Sequence, residues 1–337
     1  MTLENYANVM LPVIEEELFK TVGWMKNYDS GDLYDLLAFH MGWSAYNDSP
    51  ATKGKRIRPL MVTLCTAAAG GEWRNALPVA AGVELIHNFS LIHDDIEDNS
   101  PLRRGRPTLW KKWNIPLAIN AGDAMFTLAH LAVLQLENIV SKTIALQAIQ
   151  LLHETCLRLT SGQHLDITYE NRDFLELEAY WPMVQGKTAA LLAACTELGP
   201  LIADSDQGTR AAFREFGYAL GLAFQALDDL LGIWGDSALT GKSAESDLIT
   251  RKKSLPILYG LSVNGKFASR WRQGSISTTE LREVAGLLEG EGAREYTQKI
   301  ADQYTTRALN MLSAAHPEPK AGSALQELAH QLLKRRS

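Results

Sequence analysis

The sequence predicts an all-α fold, a single large helical bundle around a central cleft. Three observations carry that expectation. Apolar residues recur at helical spacing through almost all of the 337-residue chain, and strand-like alternation is nearly absent. Gly, Pro, Asn or Asp separate the periodic segments, as at Gly70-Gly71 and Asn114-Ile115-Pro116. No low-complexity linker divides the chain and no repeat of solenoid length occurs, so one domain over residues 1–337 is expected.

The periodicity predicts helices near residues 3–25, 31–44 and 56–70, the third closed by Gly70-Gly71. A fourth lies near 75–98. There Val83, Leu85, Ile86, Phe89, Leu91 and Ile92 cover nearly the whole circumference, so this helix is expected to be buried. Asn99, Ser100 and Pro101 stop it. Helices near 116–138, 141–162 and 173–180 follow, the first opened by Asn114-Ile115-Pro116. The helix near 186–203 holds Ala189 to Ala203, the nearest approach to a membrane-length apolar stretch. Glu197 and Gly199-Pro200 interrupt it, so no membrane span is expected. Helices near 207–234, 254–263, 279–289, 293–314 and 322–335 complete the order.

Composition narrows the partners. Apolar residues make up 46 % of the chain, enough for a sizeable core. The formal charge is −6 and the basic residues lie in short local groups, which argues against nucleic acid and fits a small anionic ligand. Cys65, Cys156 and Cys195 make no metal or redox spacing and read as reduced core thiols. The N-terminal MTLENYANVMLPVIEEEL has neither a basic start nor a pure apolar run, so it does not read as a signal peptide and a cytoplasmic location is expected.

Two aspartate clusters stand out. Asp94-Asp95-Ile96-Glu97-Asp98 falls in the last turn of the helix near 75–98, and Asp228-Asp229 lies in FQALDDLLGIWGD. Negative charge at a helix C-terminus opposes the dipole, so carboxylates gathered there need a cation. Asp94 and Asp98 share a face one turn apart. Paired carboxylates with room for water and phosphate suit Mg²⁺ better than a closed cage does. An aspartate-rich motif alone also occurs on solvated helix faces. Here the surroundings add to it. Arg103, Arg104 and Arg106 follow the first cluster, Lys242, Arg251, Lys252 and Lys253 follow the second, and Gly54-Lys55-Arg56-Ile57-Arg58-Pro59 precedes both. Such acids and bases together can grip a polyphosphate.

With these blocks in view, the chain resembles the trans-isoprenyl diphosphate synthases, the farnesyl and geranylgeranyl diphosphate synthase family. The matching blocks are GKRIRP (54–59), ELIHNFSLIHDDIEDNSPLRRGRPT (84–108), NAGDAMF (120–126), GQHLD (162–166), GKTAAL (186–191), FQALDDLLGIWGD (224–236) and GK…DLITRKKSLP (241–256). They span about residues 50 to 260; the two ends match only in being helical.

The resemblance implies a chemistry. An allylic diphosphate ionises, isopentenyl diphosphate attacks the carbocation, and a proton is lost. It implies about three Mg²⁺ ions, two on Asp94 and Asp98 and a third on Asp228, with Asp95 and Asp229 as carboxylates behind them. Arg103, Lys187 and Lys242 would grip the allylic diphosphate, with Lys252 nearby. Lys55, Arg58, His87 and Arg104 would hold isopentenyl diphosphate without metal. Thr188 and Gln225 would line the cation's path, where an oxygen dipole steadies positive charge. A homodimer through helices near 117–160 is implied as well.

The residues themselves support part of this. Lys55 and Arg58 stand i, i+3 at a helix start, where cations oppose the dipole. His87 lies seven residues before Asp94, on much the same face. Adjacent Arg103 and Arg104 fit two different diphosphates. Asp123 and Gln163 read as polar groups that pack helices or stand behind the site; Trp110, Trp113 and His93 read as core. For product length, Phe89 precedes Asp94 by five residues, about 7.5 Å along the helix. It would floor the pocket, with small Ser90 beside it and Ile86 as the next barrier. One aromatic and no insertion in the motif resembles the archaeal-type pattern, so geranylgeranyl diphosphate is the expected product and farnesyl diphosphate the second.

The chain departs from the family pattern once. The second motif is often DDxxD, but Gly232 stands where the last Asp would be, with Asp236 two turns beyond Asp228. The third ion is therefore expected to be held more weakly. Two alternatives remain at this point, a class I terpene cyclase and a non-catalytic partner subunit. The first would leave Lys55, Arg58 and Arg104 idle, and positions 228, 232 and 236 (Asp, Gly, Asp) fail its second motif. The second should show a broken first motif, and here that motif is intact.

Overall fold

A computed structural model describes residues 2–43, 53–170, 172, 174–235 and 246–334. Nearly every regular element in it is helical. Contacts divide the chain into two compact units. Unit 1 is Met1–His153, Cys195–Arg210 and Pro317–Leu325; unit 2 is Glu154–Ala194, Ala211–His316 and Gln326–Ser337.

Unit 1 begins with α1 (Leu3–Gly23), α2 (Leu33–Met41), α3 (Ile57–Ala68) and α4 (Leu77–Glu97). The Thr2 and Asn5 side chains close a reciprocal cap at the start of α1. Helix α4 is buried as its composition predicts: Val79, Ala80, Val83, Leu85 and Ile86 have no exposed surface. It packs against α6 (Ile115–Leu134). A Cβ built on Gly82 would lie 2.6 Å from Val133, so the missing side chain is what lets the two helices approach. Asp98 caps the end of α4, its N–H donating to Asp94 O at 2.9 Å.

After α4 comes a feature that helical periodicity does not predict. Leu102–Arg103 (β1) pairs antiparallel with Arg106–Pro107 (β2). Arg104 and Gly105 form the two-residue turn, with φ of 52° and 74°. Positive φ at both central residues is the I′ geometry, whose twist matches that of hairpin strands. A short α5 (Leu109–Lys112) then leads into α6.

The long helices α7 (Lys142–Glu170), α9 (Ala190–Ile202), α10 (Gln207–Trp234) and α16 (Pro319–Leu333) each run from one unit into the other along the chain. Unit 2 also holds α8 (Tyr180–Val184), α11 (Ser246–Thr250), α12 (Leu255–Val263), α13 (Lys266–Trp271), α14 (Leu281–Gly290) and α15 (Ala293–Ala314). Its core has two centres. One gathers Tyr180, Met183, Leu222, Leu255 and Leu258; the other gathers Ile233, Ile257, Phe267, Trp271 and Leu288.

Three features differ from expectation. Helix α7 does not stop at Gly162 but continues to Glu170. Gly162 is there for close approach: a Cβ on it would collide with the Lys187 backbone nitrogen, and one on Gly186 would lie 2.6 Å from Arg158 O. The helix expected at 173–180 is not formed over 174–176. Glu176 is extended (φ −67°, ψ 151°), a 3₁₀ turn spans Leu177–Ala179, and α8 follows with Pro182 in its first turn, where a proline costs no hydrogen bond. Helix α8 then passes through a π turn, Gln185–Ala189, into α9. Finally, the segment Ile115–Asn138 is long and apolar enough to cross a membrane by composition (mean hydropathy 1.5 in an 18-residue window), although 44 % of that window is buried in the protein. The nearest approach to such a stretch is therefore here and not at 189–203.

The glycine contacts give a paired test. Gly162→Ala pushes a methyl into the Lys187 backbone and should destabilise the fold by about 1–3 kcal/mol. Gly286→Ala in α14 meets nothing within 4 Å and should stabilise it by up to about 1 kcal/mol. Urea unfolding of both variants measures the contrast; equal effects would contradict the close approach.

Candidate active site

In unit 1 the end of α4 sorts its acids by direction. Adjacent helix residues point about 100° apart, so Asp94 and Asp95 cannot face the same way. Asp95 turns inward, 2 % exposed, and accepts a hydrogen bond from Arg103 Nε at 2.8 Å. Burial pushes its carboxyl up to about 6, against the pull of Arg103. Asp94 is half-buried and Asp98 is exposed. The two carboxylates on the outward face offer only oxygen donors on one helix edge, a set that fits a hard cation with room for water and phosphate.

The hairpin distributes the arginines. Arg103, on β1, is committed to Asp95, while Arg104 sits in the turn beyond it. The Arg104 guanidinium occupies the space over Gly54, where a Cβ would lie 2.6 Å from Nη1. Gly54 is thus required both for its φ of 76° and for this contact. Arg106 lies over the Phe39 ring at 4.0 Å and donates to Phe39 O at 3.1 Å, which fastens β2 to α2. It is a strap rather than a phosphate ligand.

Arg56 enters the sequence pattern only as part of a motif, yet it organises this region. It caps α3 at a φ of 47° and is 6 % exposed. Its guanidinium donates to Glu84 Oε1 at 3.0 Å, Glu15 Oε2 at 3.0 Å and Met41 O at 3.0 Å, so it joins all four of the first helices. Glu84 in turn accepts from Asn88 Nδ2 at 3.1 Å. A buried charge set of this kind is tolerable because each ion is paired and hydrogen-bonded. Its signal in the sequence is an arginine between two other basic residues with acids a whole helix away, which no local pattern reveals.

Around that anchor Lys55 is exposed, and Arg58 and His87 are half-buried. The charges crowd. Burial draws the Arg104 guanidinium below its ordinary value; Glu84 opposes this while Arg56, Arg103 and Arg58 reinforce it. Desolvation, then Arg58, Arg104, Arg103 and His40, hold His87 well below the usual imidazole value. His40 is lowered to about 3 by burial and then by Arg103, Arg104, Arg56 and Arg106, and it lines a small cavity of about 30 Å³ with Asp95, Arg103 and Arg104. Nothing in the sequence singles out His40. Like charges gathered beside neutral imidazoles make a positive region that favours an anion.

Further up α4, Phe89 is half-buried. Its ring meets Phe126 of α6 at 5.0 Å and His93 at 4.8 Å. Ile86 is fully buried one turn below, and Ser90 Oγ donates to His87 O at 2.9 Å. Phe126 belongs to a matching block, but only the fold sets it against Phe89. The Asp123 side chain is 66 % exposed, and its Oδ1 lies 3.9 Å from His93 Nε2 of α4. Trp110 and Trp113 are half-buried rather than core, Trp110 Nε1 donating to Ser100 O at 3.0 Å.

Unit 2 has its own constellation. The π turn carries Lys187 and Thr188. Lys187 is in direct contact with Asp166, a carboxylate within the GQHLD block that the sequence pattern does not mark as a partner. Thr188 Oγ1 donates to Gln225 Oε1 at 2.8 Å, and Gln225 Nε2 donates to Asp229 Oδ1 at 2.8 Å. Asp229 is buried; its Oδ2 also accepts from Tyr180 OH at 2.8 Å and from the Leu255 N–H at 2.9 Å. Burial lifts its carboxyl to about 7 even with Lys252 near. Asp228, one residue earlier, is half-buried. Lys252 lies among acids: burial works against its charge, but Asp247, Asp166, Asp229 and Asp228 outweigh this and raise it above the ordinary lysine value.

The remaining basic residues divide. Arg251 lies 4.2 Å over Trp271 and donates to Trp271 O and Gly274 O, and Lys253 is buried with its Nζ 5.4 Å over the same ring. Both are structural. Lys242 and Asp236 lie outside the described residues. At Gly232, the departure from the family pattern, a Cβ would collide with the Asp247 carboxylate. A carboxylate from α11 thus stands beside the position where the family's last aspartate would be.

The two lowered imidazoles make acid stability measurable. Folded His40 and His87 refuse a proton that the unfolded chain accepts below about pH 6.5. Stability is therefore full above that value and falls as pH drops, by about 1.4 kcal/mol per pH unit for each group. Urea unfolding at pH 7 and pH 5.5 should show a smaller loss in His40→Gln and in His87→Gln than in the parent. Equal losses would contradict the neutral assignment.

Comparison with known proteins completes the picture. A profile of the polyprenyl synthetase family matches residues 44–283. The chain is 36 % identical over 340 residues to a (2E,6E)-farnesyl diphosphate synthase of Mycobacterium tuberculosis, covering 97 % of this chain and 94 % of that one. It is 37 % identical over 294 residues to a geranylgeranyl diphosphate synthase of the same organism, covering 85 % and 83 %. A crystal structure of polyprenyl synthetase from Streptomyces coelicolor A3(2) superposes with a TM-score of 0.86 at 34 % identity, covering 98 % of each chain. By sequence blocks, all-helical fold and these likenesses together, the chain belongs to the polyprenyl synthetase family.

Proposed function

We propose that the chain condenses isopentenyl diphosphate with an allylic diphosphate, in the short- to medium-chain range, with geranylgeranyl diphosphate as the first expected product and farnesyl diphosphate as the second. The observation that carries this reading is the division at the end of α4. Asp95 is paired with Arg103, while Asp94 is half-buried and Asp98 exposed, and the hairpin that follows them carries Arg103 and Arg104.

Lys55, Arg58, His87 and Arg104 bind isopentenyl diphosphate as charge-assisted donors, and the neutral His87 offers a donor without adding charge. The family resemblance assigns Arg103, Lys187 and Lys242, with Lys252, to the allylic diphosphate. Asp94 and Asp98, and Asp228 in unit 2, have the oxygen donors to hold Mg²⁺, which when bound supplies a Lewis acid for the leaving diphosphate. Thr188 and Gln225 present oxygen dipoles to the allylic carbon as positive charge develops there. The exposed Ile115, Leu117, Ile119, Leu131, Leu134 and Leu146 support a homodimer through α6 and α7.

The decisive experiment incubates the protein with isopentenyl diphosphate, Mg²⁺ and each of dimethylallyl, geranyl and farnesyl diphosphate, and reads products by mass spectrometry. Asp94→Ala and Asp98→Ala should each slow condensation by at least about 100-fold. Full activity in excess chelator would defeat the metal assignment.

Product length tests the floor. Phe89→Ala opens the ring contact with Phe126 and should lengthen the product, while Ser90→Phe should shorten it. An unchanged distribution in both variants places the floor elsewhere.

A further inference from the structure

His130 and His153 take no part in the site above, and they meet inside unit 1. His130 stands on α6 and His153 on α7, helices that follow one another in the chain. Their ring centres lie 4.4 Å apart, with the planes tilted by 47°. Both rings are anchored in the same way. His130 Nδ1 lies 2.7 Å from Phe126 O, and His153 Nδ1 lies 2.7 Å from Ile149 O. A carbonyl oxygen only accepts, so each Nδ1 carries a proton and donates it. In the neutral ring Nε2 is then a bare lone pair.

Three features make this pair a ligand set. Donation of one ring N–H to a backbone carbonyl is the support that metal-binding histidines usually have, because it fixes the tautomer and the ring direction. The ring spacing also suits a shared ion. A metal–nitrogen bond of about 2.1 Å puts a ring centre about 3.2 Å from the ion, so two imidazoles at right angles on one ion stand about 4.5 Å apart. Lastly, His130 Nε2 is buried with no hydrogen-bond partner among the described residues, a deficit of about 1–3 kcal/mol that a bound ion would remove. Phe126 covers the His130 ring at 4.4 Å between centres. Burial lowers the His130 imidazole from its ordinary value; the bond to Phe126 O opposes this and His153 adds to it, so the ring is neutral at pH 7.

We propose that His130 and His153 bind one divalent transition ion, of the zinc and copper class, through their two Nε2 atoms. Imidazole nitrogen suits these ions, whereas Mg²⁺ prefers oxygen, so the site is chemically separate from Asp94, Asp98 and Asp228. No group of three or more His, Cys, Asp or Glu gathers there among the described residues, so water completes the coordination. The ion joins α6 to α7 and stabilises the folded chain, because the unfolded chain does not hold the two rings together. The inference stands apart from the condensation reading, since no substrate takes part in it.

Zinc titration tests this. The untagged full-length protein is stripped with chelator, placed in excess Mg²⁺ so that carboxylate sites are filled, and titrated with ZnCl₂ by calorimetry. A binding step should appear that His130→Ala and His153→Ala each weaken by about tenfold or more, since even groups behind a ligand count on that scale. His153 is exposed, so its replacement leaves the fold intact if the half-buried His130 does not tolerate change. Zinc should also raise the Tm of the parent and not that of His153→Ala. With CuCl₂ in place of zinc, the electron paramagnetic resonance spectrum of the parent should show coupling to two ligand nitrogens, and that of His153→Ala to one. Zinc affinity equal in the parent and His153→Ala, or copper spectra that do not differ between them, overturns the proposal.

Discussion

The 2.8 Å contact between Arg103 Nε and Asp95 Oδ1 ties the acidic end of α4 to the basic hairpin after it. A buried helix that ends in carboxylates is unstable on its own terms, because its dipole and its acids have the same sign. Arg103 neutralises the one acid that cannot reach water. In doing so it fixes β1, and β1 fixes the turn at Arg104-Gly105. The turn sends Arg104 over Gly54, next to the start of α3, where Arg56 is already locked between Glu15 and Glu84. The basic pocket follows from that one neutralisation and from the buried ion set that supports α3.

Unit 2 solves the same problem with hydrogen bonds in place of an arginine. Asp229 faces inward and is satisfied by Tyr180, Gln225 and the start of α12, leaving Asp228 half-buried. In both doublets the second aspartate is buried and hydrogen-bonded within the fold, while the first is half-buried. The cause is the helical rotation between neighbours, which lets a doublet face two environments at once. Burial raises both inward carboxyls, to about 6 and about 7, and both are held by donors that the protein supplies.

Glycine plays a consistent part beside these acids. Gly54 admits a guanidinium, Gly162 and Gly186 admit each other's helices, and Gly232 admits the Asp247 carboxylate. Read along the chain, Gly162 looks like a stop and Gly232 like a loss. In three dimensions the first is a contact between α7 and the π turn. The second is room for an acid from another helix, so a carboxylate remains beside a position where the local pattern lacks one.

The sequence by itself determined the helical class, the burial of α4, the outward pair Asp94 and Asp98, and the basic residues near them. Those depend on short-range periodicity and on adjacent charges, which a linear reading captures. It did not yield Arg56–Glu84–Glu15, Asp166 beside Lys187, Tyr180 beside Asp229, or Phe126 beside Phe89. Each joins residues from different helices, with no spacing rule to announce it. The hairpin escapes a linear reading because two-residue strands have no period to detect, although Arg104-Gly105 carries a glycine where such a turn needs one. Only the tertiary structure decided which donors meet the buried members, Arg103 of the hairpin at Asp95 and Tyr180 and the Leu255 N–H at Asp229, because those partners come from separate elements with no fixed spacing to the doublets.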